Sequence, residues 1–530
     1  MSGVPDPEHL DESERALLAP FVTDLDAPVF ALINLPETTR GALFARYSRH
    51  PGTLRRLMLD EFASELEANE PTRRSVEGER SARLYERVLL EYGDDSVAQL
   101  GGAHVACEWV SNVLTKLLER PRLGSYLEQS TRYIAYDRPM ADGRYRYYRS
   151  ERLGADYEQA MDALFDTYSE LLPGVRAALA ERFPRGELAA GAHERAVSAK
   201  ALDLLRGLLP ASALSHVGIF ASGQTFERLI LHLRAEQLPE ARACAEGMLA
   251  AMQAVMPSFV ARAAMPERGG RWVAHLRARA AAEQRIAGEL GLLPAQRQPE
   301  TDAVRLLDVH GSERELLASL LFEAAGVDEQ HALARVGELS EEQRAELIGA
   351  LAGSRENRRH LPGRGFEALR YRFEIVSDYG AFRDLQRHRM LTVQWQALTP
   401  HLGAAVPDEL DGTRAATRYR AALERSHRAW QQLTERGEAL HAPYALCMAY
   451  RIRFILDLDA REAIHLVELR SAREGHASYR AIALEMHRLI AAVHPAVAAA
   501  MSHVDGSSAP RLERLLAESR NDARRVSSRT

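Results

Sequence analysis

Residues 120–133 read RPRLGSYLEQSTRY, and residues 387–400 read RHRMLTVQWQALTP. Each stretch opens on two arginines flanking a single residue. Each then runs seven residues to a position filled by Ser130 in the first and by Ala397 in the second. The openings, Arg120-Pro-Arg122 and Arg387-His-Arg389, lie 267 positions apart (387 minus 120) in a chain of 530 residues. A repeat at that spacing predicts one unit of about 265 residues built twice.

Two further landmarks recur in the same order. A short apolar strand, a polar turn and a helix open each half: PVFALINLPETTRGALFARYSRH from Pro28, and VRLLDVHGSERELLASLLFEAAG from Val304. Later, a leucine-rich helix face closes on an arginine, RLILHLRA with Arg234 and REAIHLVELRSA with Arg470. The connector is LPAQRQPETD (293–302), rich in proline and charge. This places a first unit over 26–295 and a second over 300–505. An extension over 1–25 and a polar tail over 506–530 flank them, with one amphipathic helix expected at RLERLLAES.

Most of the chain shows apolar residues at three- and four-residue intervals, as in SARLYERVLLEY (81–92) and ERLILHLRAEQLPEARACAEGMLAAM (227–252). Strand candidates are few: APVFALINL (27–35), AVRLLDV (303–309) and YRFEIV (371–376). The expected class is α+β, helix-rich, with a short sheet and several long helices in each unit.

Hydrophobic content of 46% and charged content of 27% are those of a globular protein. No apolar run approaches the length of a membrane span, and the acidic start MSGVPDPEHLDESER is unlike a signal peptide. A cytoplasmic location is the expectation, with no membrane partner. A net charge of −6 gives no pull toward nucleic acid. Cys107, Cys244 and Cys447 are odd in number and widely spaced, which excludes a disulfide framework and cysteine-based zinc sites. Lys116 and Lys200 are the only lysines, so a Gly-rich phosphate loop of the lysine-bearing kind is excluded, and arginine carries the remaining positive charge.

Arginine is a planar, permanently charged fork suited to phosphates and to ring carbonyls. Arg120, Arg122 and Arg132, with Glu128 and Ser130 among them, supply donors and acceptors for an anionic ligand with a polar ring, such as a nucleotide. The histidine pairs His216/His232 and His465/His476 show no metal-ligand spacing and read as capping or packing residues, so no metal is expected. Trp109, Trp272 and Trp430 read as core or interface, and Trp395 is held open by its place in the second stretch.

The two stretches resemble the signature of the flavin-dependent thymidylate synthases, the ThyX family: R-H-R, seven residues, then S-x-R-Y. The first half matches at Arg120, Arg122, Ser125, Glu128, Ser130, Arg132 and Tyr133, with Pro121 in the histidine's place. GDDSVAQL (93–100) and VSNVLTKLLERPR (110–122) resemble the segment leading into it. The second half keeps Arg387, His388 and Arg389, but has Ala397, Thr399 and Pro400 for the serine, arginine and tyrosine. The family's later N-x-R, nine residues before another arginine, has its counterpart in Asp459, Arg461 and Arg470, followed by GHASYR (475–480). In the first half Gly223 and Thr225 fall at the N-x-R positions, with Arg234 as the closing arginine. Asp203 and Arg206 precede a Leu-Pro in LDLLRGLLP.

The resemblance implies a homotetrameric α+β fold that binds FAD, takes hydride from NADPH and converts dUMP to dTMP with methylenetetrahydrofolate. Flavin would be faced by Arg387, His388, Arg389, Asp459 and Arg461, and by Arg120 and Arg122. dUMP would be held by Glu128, Ser130, Arg132, Arg206, Arg234 and Arg470, with Ser130, Arg132 and Arg470 at the reacting ring. Since neither half is complete, the resemblance implies either a mosaic or a relic. In the mosaic, the second half's flavin set faces Glu128, Ser130 and Arg132, while the reciprocal site with Ala397 and Thr399 is dead. Two chains would then give a pseudo-tetramer of units. The relic would be a relative that binds nucleotide or flavin without methylating, or a structural helical protein.

Overall fold

In a computed structural model the described residues are 9–68, 79–85, 87, 95–186, 189–292, 303–507 and 511–520. The connector LPAQRQPETD, Gly93 and Asp94 of GDDSVAQL, and the two chain ends lie outside them. Among the described residues no helix is long and apolar enough to cross a membrane.

The repeat appears as two antiparallel four-stranded sheets of the same order. β1 (Val29–Leu32), β2 (Gly102–Ser111), β3 (Gly124–Glu128) and β4 (Leu214–Ser222) form the first, in the order β1-β2-β4-β3. β5 (Ala303–His310), β6 (Arg370–Asp378), β7 (Leu391–Trp395) and β8 (Arg451–Asp459) form the second, in the order β5-β6-β8-β7. The fold is therefore α+β and helix-rich, built twice. The three strand candidates correspond to β1, β5 and β6, and the other five strands are not among the candidates.

β2 was hidden by its burial on both sides. Ala103, Val105 and Cys107 pack into one core with the helix Pro239–Val255, while Ala106 belongs to another with Phe30 and Leu32. A strand covered on both faces loses the alternation that betrays a strand. β8, RIRFILDLD, does alternate, burying Ile452, Phe454, Leu456 and Leu458.

The central strands turn straight into helices, and the last strand residue is the cap each time. Ser111 caps Asn112–Leu118, Ser222 caps Gly223–Ala235, Asp378 caps Tyr379–Leu385 and Asp459 caps Ala460–Ser471. An N-cap oxygen accepting an orphan amide is worth about 1 kcal/mol and fixes where the helix starts. These junctions set the correspondence between halves: Ser222 matches Asp459, so Leu233 rather than Arg234 stands at Arg470's position. Counting back from the arginine slips by one residue, which is about 100° around a helix. Arg234 instead donates to Glu246 at 2.7 and 2.6 Å and to the Ala263 carbonyl.

The compact units are not contiguous halves. One comprises Met1–Ser169, Leu208–Gln296 and Ala421–Cys447, the other Glu170–Gly207, Arg297–Arg420 and Met448–Thr530. Each takes a segment from the opposite half, with crossings inside the helices Gly154–Arg182 and Arg414–Glu435. Hydrophobic periodicity marks a helix but not which core it joins.

Both lysines are buried. In the first unit Lys116 Nζ lies 2.6 Å from Glu119 and 3.5 Å from Glu128 at the end of β3. Removing one partner of a buried ion group leaves uncompensated charge, at about 3–5 kcal/mol. Lys116→Met should therefore lower the free energy of unfolding by about that amount. Adding Glu128→Gln should recover part of it, as read from urea denaturation midpoints. A single variant as stable as the parent would contradict the assignment.

Candidate functional site

The second unit assembles a buried polar chain from three segments. The R-H-R turn lies between the helix Tyr379–Leu385 and β7, and places His388 inside, with 6% exposure. Its Nδ1 lies 2.8 Å from Glu462 Oε1, one turn into the helix that Asp459 caps. Arg470, two turns further along, donates from Nε to His388 Nε2 at 3.0 Å. Since Nε2 receives that N–H, the ring's proton is on Nδ1 and is given to Glu462. Arg470 also approaches Asp384 at 3.9 Å, and Arg206 reaches the other oxygen of Asp384 at 3.3 Å. Arg206 comes from the first half of the chain, at the end of the helix Ala190–Leu205.

The electrostatics follow from burial. Desolvation, reinforced by Arg470 and His465, drives the His388 pKa well below its ordinary value, so the ring is neutral. Burial and the nearby Asp459 push Glu462 up to about 7. Burial also raises Asp459 and lowers Arg470, the latter with a contribution from Arg387.

His465, read as a packing residue, contributes more than packing: its donor atom, one from His388 and one from Glu462 lie within 4.8 Å of one another. The spacing in sequence could not show this, because His388 and His465 are on separate elements. A cation is nonetheless disfavoured there. Both His388 nitrogens are engaged, and Arg358, Arg389, Arg461 and Arg470 all act on these groups. An anion or a carbonyl-rich ring suits that field better.

Beside the chain is a cavity of about 420 Å³, lined among others by Lys200, Asp203, Arg206, Asp378, Ser478 and Arg480. Arg206 is 4% exposed, and its Nη2 has no hydrogen-bond partner among the described residues. That nitrogen is itself sealed from solvent, beside Gly380, so it is the Arg206 side chain as a whole that contributes to the cavity wall. Lys200 is bridged by Glu409 and, at 2.6 Å, by Glu513, so the tail segment 511–520 supplies part of the wall. His476 caps the helix Ala477–Val493, while Ser478 donates to Asp378.

The remaining predicted residues divide between the units. In the second, Arg387 is half-buried, Arg389 is exposed, and Arg461 donates to the Pro362 carbonyl at 2.9 Å and lies 3.5 Å from Glu367. Trp395, half-buried, packs on Phe382, with ring centres 5.6 Å apart. In the first unit, Glu128 is spent on Lys116. The Ser130 hydroxyl accepts the Arg132 amide at 3.3 Å, and its carbonyl accepts the amides of Tyr133 and Ile134 at 3.1 Å. Arg132 is half-buried, Arg120 and Arg122 are exposed, and Arg132 and Arg470 belong to different units.

The sequence pattern does not mark Asp384, Glu462, Lys200 or Gln129 as site residues. Gln129 is fully buried, donates to the His50 carbonyl at 2.6 Å and accepts from Arg146 at 2.7 Å. Two signals were available: the acid three residues ahead of the arginines in D-L-Q-R-H-R, and the rarity of lysine at Lys200.

A sequence model of the Thy1 family, described as thymidylate synthase complementing protein, matches residues 45–258 and 311–496, one stretch in each half. The UPF0159 protein of Chlamydia muridarum is 37% identical over 97% of this chain and 98% of its own length. The UPF0159 protein of Thermoplasma acidophilum is 32% identical over 92% of this chain and 99% of its own. Among solved structures, a UMP/dUMP methylase from Streptomyces cacaoi bound with 5-Br dUMP aligns at 19% identity and a TM-score of 0.31. It covers 39% of this chain and 97% of its own, a likeness too slight to bear on the site.

Two opposed pH dependences meet in the buried chain. Glu462, raised from 4.5 to about 7, binds its proton more tightly in the folded state, so its contribution to stability falls as pH rises through that window. His388, lowered from 6.5, protonates more readily unfolded, so its contribution falls as pH drops below that value. Glu462→Gln removes only the first. The variant's urea midpoint should therefore rise with pH between about 5 and 6.5 more steeply than the parent's. Parallel curves would show that the carboxyl is not held in this state.

Proposed function

The chain belongs to the Thy1 family, thymidylate synthase complementing protein, and from that membership we propose that it is a flavin-dependent thymidylate synthase. In this reading it converts dUMP to dTMP, with methylenetetrahydrofolate as carbon donor and NADPH as reductant. The observation that carries the reading is Arg206. A first-half arginine shares Asp384 with Arg470, next to His388, and lines a cavity.

The donor set of the second unit suits FAD. Arg387, Arg389 and Arg461 bring three permanent cations around a neutral histidine, as a pyrophosphate and a carbonyl-bearing ring require. Asp459 departs from the family's asparagine, yet it keeps the capping duty, and burial raises its pKa, which weakens the opposing charge. Arg387, Arg389 and Arg461 would hold the cofactor. Bound there, the flavin supplies the electrons that reduce the transferred one-carbon unit to a methyl group.

The protein's own residues bind and orient. Arg206 takes the phosphate, where a charge-assisted bond is about twice as strong as a neutral one. Arg470 faces the negative charge that grows on the pyrimidine, and the neutral His388, anchored by Glu462, fixes the Arg470 fork. Two chains associate to give four units.

A visible spectrum of the purified protein tests the first step, since bound flavin absorbs in the blue. Titration should give one FAD and one dUMP per chain. Arg206→Met should weaken dUMP by about 30- to 100-fold, near 2–3 kcal/mol, and leave FAD uptake unchanged. A colourless protein that takes up no added FAD would overturn the reading. Binding of both ligands without dUMP-dependent NADPH oxidation would favour the non-methylating relative instead, whose support in the sequence is Pro121, Ala397 and Thr399.

A further inference from the structure

Each unit has a cavity at the same station of its fold. In the first, Ser111 ends β2, and Glu240 is the second residue of the helix Pro239–Val255. In the second, Asp378 ends β6, and Ser478 is the second residue of the helix Ala477–Val493. Both pairs are hydrogen-bonded, Ser111 Oγ to Glu240 Oε2 at 2.7 Å and Ser478 Oγ to Asp378. The carboxylate and the hydroxyl have exchanged places. A matching backbone bond frames each: the Tyr148 amide to the Ser212 carbonyl, and the Ala405 amide to the Ala449 carbonyl, both 2.9 Å. Tyr148 and Ala405 line their respective cavities.

The walls differ. The second unit's cavity carries Lys200, Arg206 and Arg480, whereas the first unit's, about 510 Å³, is walled mainly by Val29, Val110, Leu114, Cys244, Trp109 and Tyr148. We propose that this first-unit cavity is a separate small-molecule site, which takes an uncharged, flat aromatic or heteroaromatic ligand. The inference does not rest on the thymidylate synthase reading.

Three observations carry it. The volume is that of a ligand pocket rather than a packing defect. Next, Trp109 sits in a bulge of β2 with φ 55°, a conformation that is uncommon and costly for a bulky residue and would suit glycine. Its amide donates to His216 Nδ1 at 3.2 Å, and the indole meets the His216 ring edge-on, so the strained backbone presents a fixed aromatic plane.

Finally, each charged side chain of the wall already has a partner of its own. Glu240 accepts from the Ser111 amide and hydroxyl and from the Tyr444 hydroxyl at 2.6–2.8 Å, and burial raises its pKa. Glu108 is paired with Arg55 at 3.0 Å, Arg152 lies 3.6 Å from Glu438, and Glu246 is held by Arg234. Tyr148, pushed up to about 12 by burial, stays a phenol, and its hydroxyl makes no hydrogen bond to a described residue. The hydroxyls of Tyr148 and Ser150 thus offer the polar contacts, beside the Tyr148 and Trp109 rings, which already meet Tyr444 and Arg146 respectively.

The test uses the full chain and the neutral fluorophore N-phenyl-1-naphthylamine. It should bind saturably at a single site, and the anionic 1-anilinonaphthalene-8-sulfonate should bind about tenfold more weakly or worse. Ala243→Phe, which fills the first cavity, should abolish the neutral probe's binding. Ala481→Phe, at the same station of the second unit, should leave it intact. If Ala243→Phe fails to fold, alkylation of Cys244 in the parent by N-ethylmaleimide replaces it, and a saturating probe should slow that reaction at least tenfold. Non-saturating uptake, binding that survives Ala243→Phe, equal affinity for the anion, or unprotected Cys244 would each overturn the proposal.

Discussion

The cap at the end of each central strand is the constraint on which the other features depend. A strand that stops on Ser111, Ser222, Asp378 or Asp459 hands its last side-chain oxygen to an amide of the next helix. No loop intervenes, so strand register becomes helix register directly. Glu462 stands in the first turn after Asp459 and Arg470 two turns beyond, so both fall on the side where the R-H-R turn buries His388. A loop of variable length at that junction would leave the angle between Arg470 and His388 unfixed. With Asp384 and Arg206 the contacts extend into a chain whose members each hold a neighbour in place.

The same constraint accounts for the tolerance at position 459. Asparagine, aspartate and serine are near-equal N-caps because each offers one oxygen at the same reach. Exchanging one for another keeps the helix while altering the local field. In the first half Ser222 keeps the cap without charge. In the second, Asp459 keeps it with a carboxyl whose charge burial disfavours. Capping and ligand chemistry are therefore separable at these sites, and a changed motif residue need not mean a broken scaffold.

How much of this is legible in the sequence follows from the range of each signal. The duplication, the α+β class and three strands are local or periodic, and they were readable. β2 was not, because burial on both faces removes its alternation; β8 did alternate, and was passed over among long helical stretches. Arg120, Arg122 and the R-H-R group could be found from spacing alone, but Asp384 and Glu462 gain meaning only when two helices and a turn converge. Lys116 and Lys200 stood out by rarity. Their burial between pairs of glutamates explains what a compact ammonium does that a broad guanidinium fork would do less easily in a closed space. The Arg234 misalignment shows the limit of counting within helices: without the strand that sets the start, a residue's face is uncertain by one step.

Segment exchange between halves bears on why the two cavities diverge. The wall of the second unit's cavity includes Lys200, Asp203, Arg206 and Gly207, all from the first half of the chain. Where the second half makes the corresponding backbone contact it carries Tyr444 in place of Gly207, and that hydroxyl reaches Glu240. A β-carbon on Gly207 would instead lie 2.0 Å from the Tyr419 hydroxyl, so the glycine keeps that corner open to a tyrosine from another helix. The tyrosine that reaches Glu240 in one unit is thus replaced in the other by a glycine, beside which Tyr419 packs. Charged groups gather in the second unit's cavity, and in the first unit's the Glu240 carboxyl is shielded behind three donors. A traded segment supplies the charged side of the second unit's cavity, whereas the first unit's cavity is walled by its own strands and helices and takes from its traded segment only the Tyr444 hydroxyl on Glu240, so two sheets of one strand order carry chemically unlike chambers.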